Sequence, residues 1–440
     1  MMDFDEREYF SFLQENSKQV FLKMLAKYEK QIAPGLRARG YTRINEAERT
    51  VIFSFGEVTF SRSRWRKDNE TIIPIDEKLG LYPRVKFSNE VIFQLTQLSN
   101  LLPYRKVAEV IELLNQVYIT KNSVQTAISK AGQLLEEKEE YRILSLPDQK
   151  KIKTDKIYIE GDGLWIKQSS SESDSKSAEL THFVAHTGVK KGKRNTLTNK
   201  IEIVSTHHKK AKEQLLDSLY NQYEVTPETV IITNSDGGLG YSPGYFKELV
   251  SGFNHKEHFH FWDSFHVNQA IKINFRGLPS ELSDLAFKAI KKRRKKSLEA
   301  ILDTAESLIE SESRLIAFQR FSRQLLKNFS FTAEPKSKGI SSCGIGIMES
   351  QHRKISYRMK NRGMYWSKKG ADTMSQTILL QHEGKLRDLF FGNWRNQYEK
   401  IRDEGLKNLG NHFKFSKKEY HLPEIRRQEK TTRAGRSFYD

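Results

Sequence analysis

Cysteine is almost missing from this chain: Cys343 stands alone among 440 residues. A lone thiol excludes an internal disulfide and any zinc site built from several thiolates. No stretch approaches the roughly 18 uninterrupted apolar residues that a transmembrane helix needs. The acidic start, Met1-Met2-Asp3-Phe4-Asp5-Glu6, lacks the basic and apolar regions of a signal peptide. No internal repeat is visible. These absences set the expectation of a soluble, cytoplasmic protein in a reducing compartment, with no membrane partner. What the chain has in excess is positive charge: 74 Lys+Arg against 55 Asp+Glu, a net +19. That excess predicts a polyanionic partner, and nucleic acid before a lipid surface. The length suits two or three domains.

Periodicity divides the chain. Residues 1–45 hold a helix, with Phe10, Phe12, Leu13, Val20, Phe21, Met24 and Leu25 as its apolar stripe. Residues 46–87 give a β-hairpin around Gly56-Glu57, because apolar residues alternate through Phe53, Phe55, Val58 and Phe60. Arg62, Arg64 and Arg66 then fall on one face of the second strand. Such a row suits phosphate contact, or else protects an edge strand by charge. Residues 88–150 carry three helical stripes, broken by Pro103, with Thr120 as the N-cap of the third. A helix-turn-helix DNA-binding domain has this arrangement, and so does any small bundle. In the first case Lys121, Asn122 and Gln125 face a major groove, with Thr126 and Lys130 beside them.

From 151 to 263 the character changes. "KIYIEGDGLWI", "ELTHFVAHTGV" and "NKIEIVST" read as strands, followed by a helix at 209–222, a strand "TVIITNSDGG", a helix and a strand "EHFHFWDSFHV". Short links predict antiparallel pairing and strand-helix-strand units parallel pairing, hence an α/β fold with a mixed five-stranded sheet and flanking helices. Residues 264–344 read as an all-α insertion, in which "KKRRKK" at 291–296 is a solvated face or a phosphate contact. Residues 345–365 open a new helix at Glu349, with Arg353, Ser356 and Lys360 on its face. Residues 366–440 are helical and then a basic tail.

Asp162 and Asp236 each close an apolar strand and precede glycine, which admits close approach of a ligand. Either alone is an ordinary turn former. Together, in so basic a chain, they point to a hard cation such as Mg²⁺, bound by carboxylates and substrate phosphate oxygens. Two such ions about 3.5–4 Å apart suit in-line displacement at phosphorus. Glu349 is the candidate third acid. His255, His258 and His260 have the look of a metal cluster, but the last two alternate within a strand. Trp165 and Trp262 could stack on a flipped base or simply pack.

The motifs "EGDG", "NSDGG" and "FWDSFH" resemble those of the DDE transposases of bacterial insertion sequences. The resemblance is closest to the Mutator-like group and, within it, to the Lre-type transposases, long known only as an uncharacterised family. It implies an RNase H-like catalytic core interrupted by the helical insertion, with Asp162, Asp236 and Glu349 as catalytic metal ligands. It implies Mg²⁺, two ions, with Mn²⁺ as substitute. Asp263 and His266 match a further motif of the group, as supporting residues; locally, Asp263 would cap a helix. Arg353 and Lys360 would join the DNA contacts. The implied activity is binding of an element's terminal inverted repeats, strand nicking and transfer to target DNA, by a homo-oligomer on DNA in a bacterial nucleoid. An RNase H-like nuclease or resolvase, and a non-catalytic DNA-binding derivative, are the competing readings.

Overall fold

A helix of 33 residues, Glu6–Ala38, opens the chain, capped by Asp5, whose carboxylate accepts from the backbone N–H of Arg7 and Glu8. The computed structural model describes residues 5–145, 150–169, 176–193, 195–238, 240–360 and 362–403. Contacts divide the chain into residues 1–392 and 393–440. In the second unit the described residues from 394 to 403 are helical; the rest of the predicted basic tail lies outside the described residues.

The expected apolar stripe of the first helix is only partly used. Leu25 is buried and Phe21 stacks edge-on to Phe53 and Phe55, but Phe12 is 64% and Met24 63% exposed. The hairpin is longer than its alternation suggested, pairing Thr42–Phe53 with Gly56–Lys67, so its first strand begins inside the segment expected to be helical. A short third strand, Glu70–Ile72, joins it. Three helices follow at Asn89–Ser99, Tyr104–Asn115 and Lys121–Leu144. Thr120 caps the third as expected, in a reciprocal box with Ser123.

The central sheet has five strands in the predicted chain order. The first is Lys156–Lys167, the second Ser177–His186, the third Ile201–Ser205, the fourth Val230–Ser235 and the fifth Glu257–Trp262. Their spatial order is fifth, fourth, first, second, third. The first three pair antiparallel, while the first, fourth and fifth run parallel. The run "ELTHFVAHTGV" breaks at Thr187, and its end forms a separate ribbon, Gly188–Lys190 with Thr196–Thr198.

Alternation along the first strand gives the sheet two different faces. On one face Ile157, Ile159, Phe183 and Ile231 pack against the helices His208–Gln222 and Pro243–Val250. On the other, Leu164, Ile166 and Leu180 pack against Ile128 of the third N-terminal helix, Ile355 of helix Met348–Met359 and Met374 of helix Lys368–His382. The helix read as a recognition helix is thus also a wall of the core.

The insertion comprises helices Ser264–Asn274, Ser280–Lys291, Lys295–Ser307 and Glu312–Lys327, around their own apolar cluster. "KKRRKK" is not one helix face. The helix ends at Lys291, and Arg293, at φ 56°, makes the turn while its guanidinium donates to the Phe329 and Ser330 carbonyls.

Candidate active site

The register of three parallel strands builds the site. Ser235 is paired with Gly161 on one side and with Trp262 on the other. The next residues are therefore Asp162, Asp236 and Asp263, abreast. Asp236 and Asp263 follow the carboxyl ends of the fourth and fifth strands, where ligands of α/β sheets bind. Asp162 does not close its strand as expected but lies within it, because the first strand runs on to Lys167 beside the second. All three project from the face that also carries Glu160 and Asn234, at a period of two. Asp236 is held by its surroundings: Oδ1 accepts from the Gly238 N–H at 2.8 Å, and the Trp262 indole N–H donates to its carbonyl. Gly237, at φ 74°, has no room for a Cβ beside that indole.

The other glycines have a different reason from the one their spacing suggested. A Cβ on Gly161 would stand 2.5 Å from the Phe183 ring, and one on Gly163 2.0 Å from Glu179 Oε1. Both make room for cross-strand side chains on the face opposite Asp162, rather than for a ligand.

The electrostatics are those of crowded carboxylates. Burial, then the charge of Asp236, pushes Asp162 up to about 6; the Gly163 N–H and His266 pull the other way. Glu160, fully buried, is pushed up to about 8 by desolvation. Its two oxygens accept from the backbone N–H of Gly346 at 2.7 Å and Ile347 at 3.0 Å. These bonds fasten the start of helix Met348–Met359, the Glu349 helix, to the strand that carries Asp162. The two N–H donors oppose the rise in Glu160 but do not cancel it.

His352 on that helix turns Nδ1 toward Asp162 Oδ2, 3.7 Å away. Its ring stacks on His182 at 5.1 Å, and His182 bonds to Glu202 at 3.0 Å. Burial, then His182, drives His352 down to about 3, so it is neutral and Nε2 is buried without a hydrogen-bond partner. Burial alone would raise Glu202, but His182, Lys354 and Lys200 outweigh it and hold that carboxyl well below its ordinary range. Glu160, His182, Glu202 and His352 were missed in the sequence. The signal for Glu160 was its place two residues before Asp162; His352 is three residues after Glu349, one turn along the same side.

Glu349 itself is exposed on the first turn of its helix. Among the described residues no group of three or more His, Cys, Asp or Glu stands together as a ready metal site. In chemistry the donors fit a hard divalent cation: oxygen ligands abreast, with a mutual repulsion that a cation would relieve. Asp263 takes the capping role. Its Oδ1 accepts from Phe265 N at 2.8 Å and His266 N at 3.3 Å, and Oδ2 accepts from Asn234 at 3.3 Å. His266 is half-buried rather than packed beneath the helix, and its charge is felt at Asp162.

The profile of UPF0236, an uncharacterised protein family, matches residues 3–397. The chain belongs to UPF0236. A UPF0236 protein from the vanSb 3′ region of Streptococcus gallolyticus is 30% identical over 401 residues, spanning 89% of this chain and 85% of the relative. Among solved structures, the Drosophila P element transposase strand transfer complex aligns at 10% identity over 74% of this chain and 88% of that one. Its TM-score is 0.25, too slight a likeness to carry over a fold.

The remaining predicted residues of this UPF0236 chain are dispersed. Lys121, Asn122 and Gln125 are exposed along one helix, as are Arg353 and Lys360 on another. Lys130 instead covers the Tyr82 ring at 3.6 Å. The arginine row is not intact. Arg62 turns inward to Asp76, which Arg49 also meets at 2.7 Å, whereas Arg64 and Arg66 stay exposed. The ion pair wins because Asp76 is buried and needs a cation. His258 and His260 share the Thr233 hydroxyl, at 2.8 Å each, and form no metal cluster. No helix among the described residues is long and apolar enough to cross a membrane.

Proposed function

We propose that this chain is a DDE-type DNA transposase with an RNase H-like core, acting on the terminal inverted repeats of its element. The observation that carries the reading is the register that sets Asp162, within the first strand, abreast of Asp236 at the end of the fourth, with the Glu349 helix fastened beside them by Glu160. Asp162, Asp236 and Glu349 would hold Mg²⁺, or Mn²⁺ in its place. The ions would supply charge neutralisation at the reacting phosphodiester and activation of the attacking oxygen.

The chain's own residues do the rest. Glu160 fixes the acid-bearing helix to the first strand. Asp263 and His266 hold the end of the fifth strand in register with Asp236. Arg64, Arg66, Arg353 and Lys360 meet phosphates, and Lys121, Asn122 and Gln125 read the element end. Water attacks first, which frees a 3′-OH; that hydroxyl then attacks a target phosphodiester. Both steps are displacements at phosphorus, so one site serves both.

The test is to incubate purified chain with its element's end DNA, Mg²⁺ and a target plasmid, and map the products. Nicks at the ends followed by joined products support the transposase. Nicks without joining would replace it with a nuclease, and binding without nicks with a non-catalytic DNA-binding protein.

A further inference from the structure

A cavity of about 1110 Å³ opens between the sheet and the helical insertion. Helix Pro243–Val250 and strand Glu257–Trp262 contribute one wall, and helix Glu312–Lys327 with the turn Phe329–Thr332 the other. Gly237 lines it, and Gln324 Nε2 donates to the Gly237 carbonyl at 3.5 Å. The cavity therefore begins one residue from Asp236.

Its lining has a definite chemistry. Lys247, Arg323 and Lys327 bring three cations and no carboxylate accompanies them. Among the described residues, none of the three sits in an ion pair with an acid. Behind them the wall is aromatic: the Phe331 ring meets His260 edge-on at 5.2 Å, and His260 and His258 are tied to Thr233. Burial drives both histidines down, to about 4 for His258 and about 3 for His260, so these two rings are uncharged at neutral pH. Aromatic rings behind a cationic rim, with Phe331 and His260 set edge-on so that each can offer a face or an edge, suit a heterocycle that carries a phosphate. The volume, slightly above the roughly 300–1,000 Å³ of ligand sites, leaves room for one.

We propose that this cavity binds a nucleoside phosphate, either a free nucleotide or an unstacked nucleotide of a DNA strand lying at Asp162 and Asp236. The second source rests on the transposase reading; the first does not.

The experiment uses the full chain without divalent cations, in two equilibrium titrations. One follows the fluorescence of a methylanthraniloyl-labelled ATP, and the other that of a single-stranded oligonucleotide containing 2-aminopurine. The variants are Arg323→Glu combined with Lys327→Glu, and separately Ser251→Trp, which fills the mouth from an exposed position; unchanged circular dichroism shows each is folded. A saturable signal in either titration, weakened tenfold or more by both variants, supports the proposal. Response to the nucleotide alone assigns a free ligand, and response to the oligonucleotide alone assigns a strand. No saturable signal in either titration, or binding unchanged in both variants, overturns it. No cleavage is read, so a chain that nicks DNA yet fails here loses only this inference.

Discussion

Asp162 Oδ2 and His352 Nδ1 face each other at 3.7 Å, across the seam between the first strand and the Glu349 helix. The imidazole is neutral, and its other face rests on His182. It can therefore orient the Asp162 carboxylate without neutralising it. His352→Ala is expected to slow strand cleavage about ten- to a hundredfold, the usual cost of losing a partner of a ligand, while end-DNA binding holds. Single-turnover cleavage on pre-bound DNA measures this. A wild-type rate in the variant would reduce His352 to packing.

Glu349 poses a sharper question, because its side chain is exposed and it caps no contact in the core. Its removal should leave stability within about 0.5 kcal/mol, as for surface positions generally. Cleavage should nonetheless fall on the order of a thousandfold, comparable to loss of one charge-stabilising group at a reacting centre. Urea midpoints and cleavage rates on Glu349→Gln check both. Retained cleavage would pass the third-ligand role to another acid, Asp263 first.

The broken arginine row separates binding from folding. Arg64→Ala and Arg66→Ala should weaken binding alike on specific and random DNA, and reduce the salt slope by about one per cation removed. Arg62→Ala should act on the fold, since it takes one of two cations from buried Asp76. Filter binding at several salt concentrations, beside thermal melts, tells these apart. Replacing Lys121, Asn122 and Gln125 should cost sequence preference; equal losses on specific and random DNA would remove the recognition helix.

His258 and His260 give stability a definite pH dependence. Both are held neutral, with folded values of about 4 and about 3 against an ordinary 6.5. The unfolded chain therefore takes up protons first as pH falls, and stability drops from pH 6.5 toward pH 3–4. The effect should reach a few kcal/mol, since each tenfold loss of proton affinity on folding is worth about 1.4 kcal/mol. His260→Gln should flatten the curve. Urea midpoints between pH 7 and pH 4 that run parallel in variant and wild type would assign the acid loss to other groups.

The sequence carried what local chemistry decides. Alternation marked the five strands, Thr120 marked a helix start, and an Asp-Gly pair after an apolar run marked Asp162 and Asp236, although the first strand continues past Asp162 to Lys167. What it hid depended on partners distant in the chain. Arg62 lies in a legible row, but Asp76, which turns it inward, belongs to another element. Gly161 and Gly163 looked like space for a ligand until Phe183 and Glu179 filled it from the neighbouring strand. His352 became part of the site only when Glu160 docked its helix. The stripe of the first helix was legible as apolar, yet the pattern could not show that Phe12 and Met24 stay uncovered.

The central claim is that Asp162 and Asp236 act as one site, and double-mutant kinetics test it most directly. Asp162→Asn, Asp236→Asn and the pair together would be assayed for single-turnover nicking of end DNA in Mg²⁺. Groups that act together are non-additive. The account predicts that each single variant loses nicking on the order of a thousandfold, that the double variant is no worse than either, and that all three still bind DNA and remain folded. Near-wild-type nicking by either single variant, or losses that multiply in the double, would contradict it.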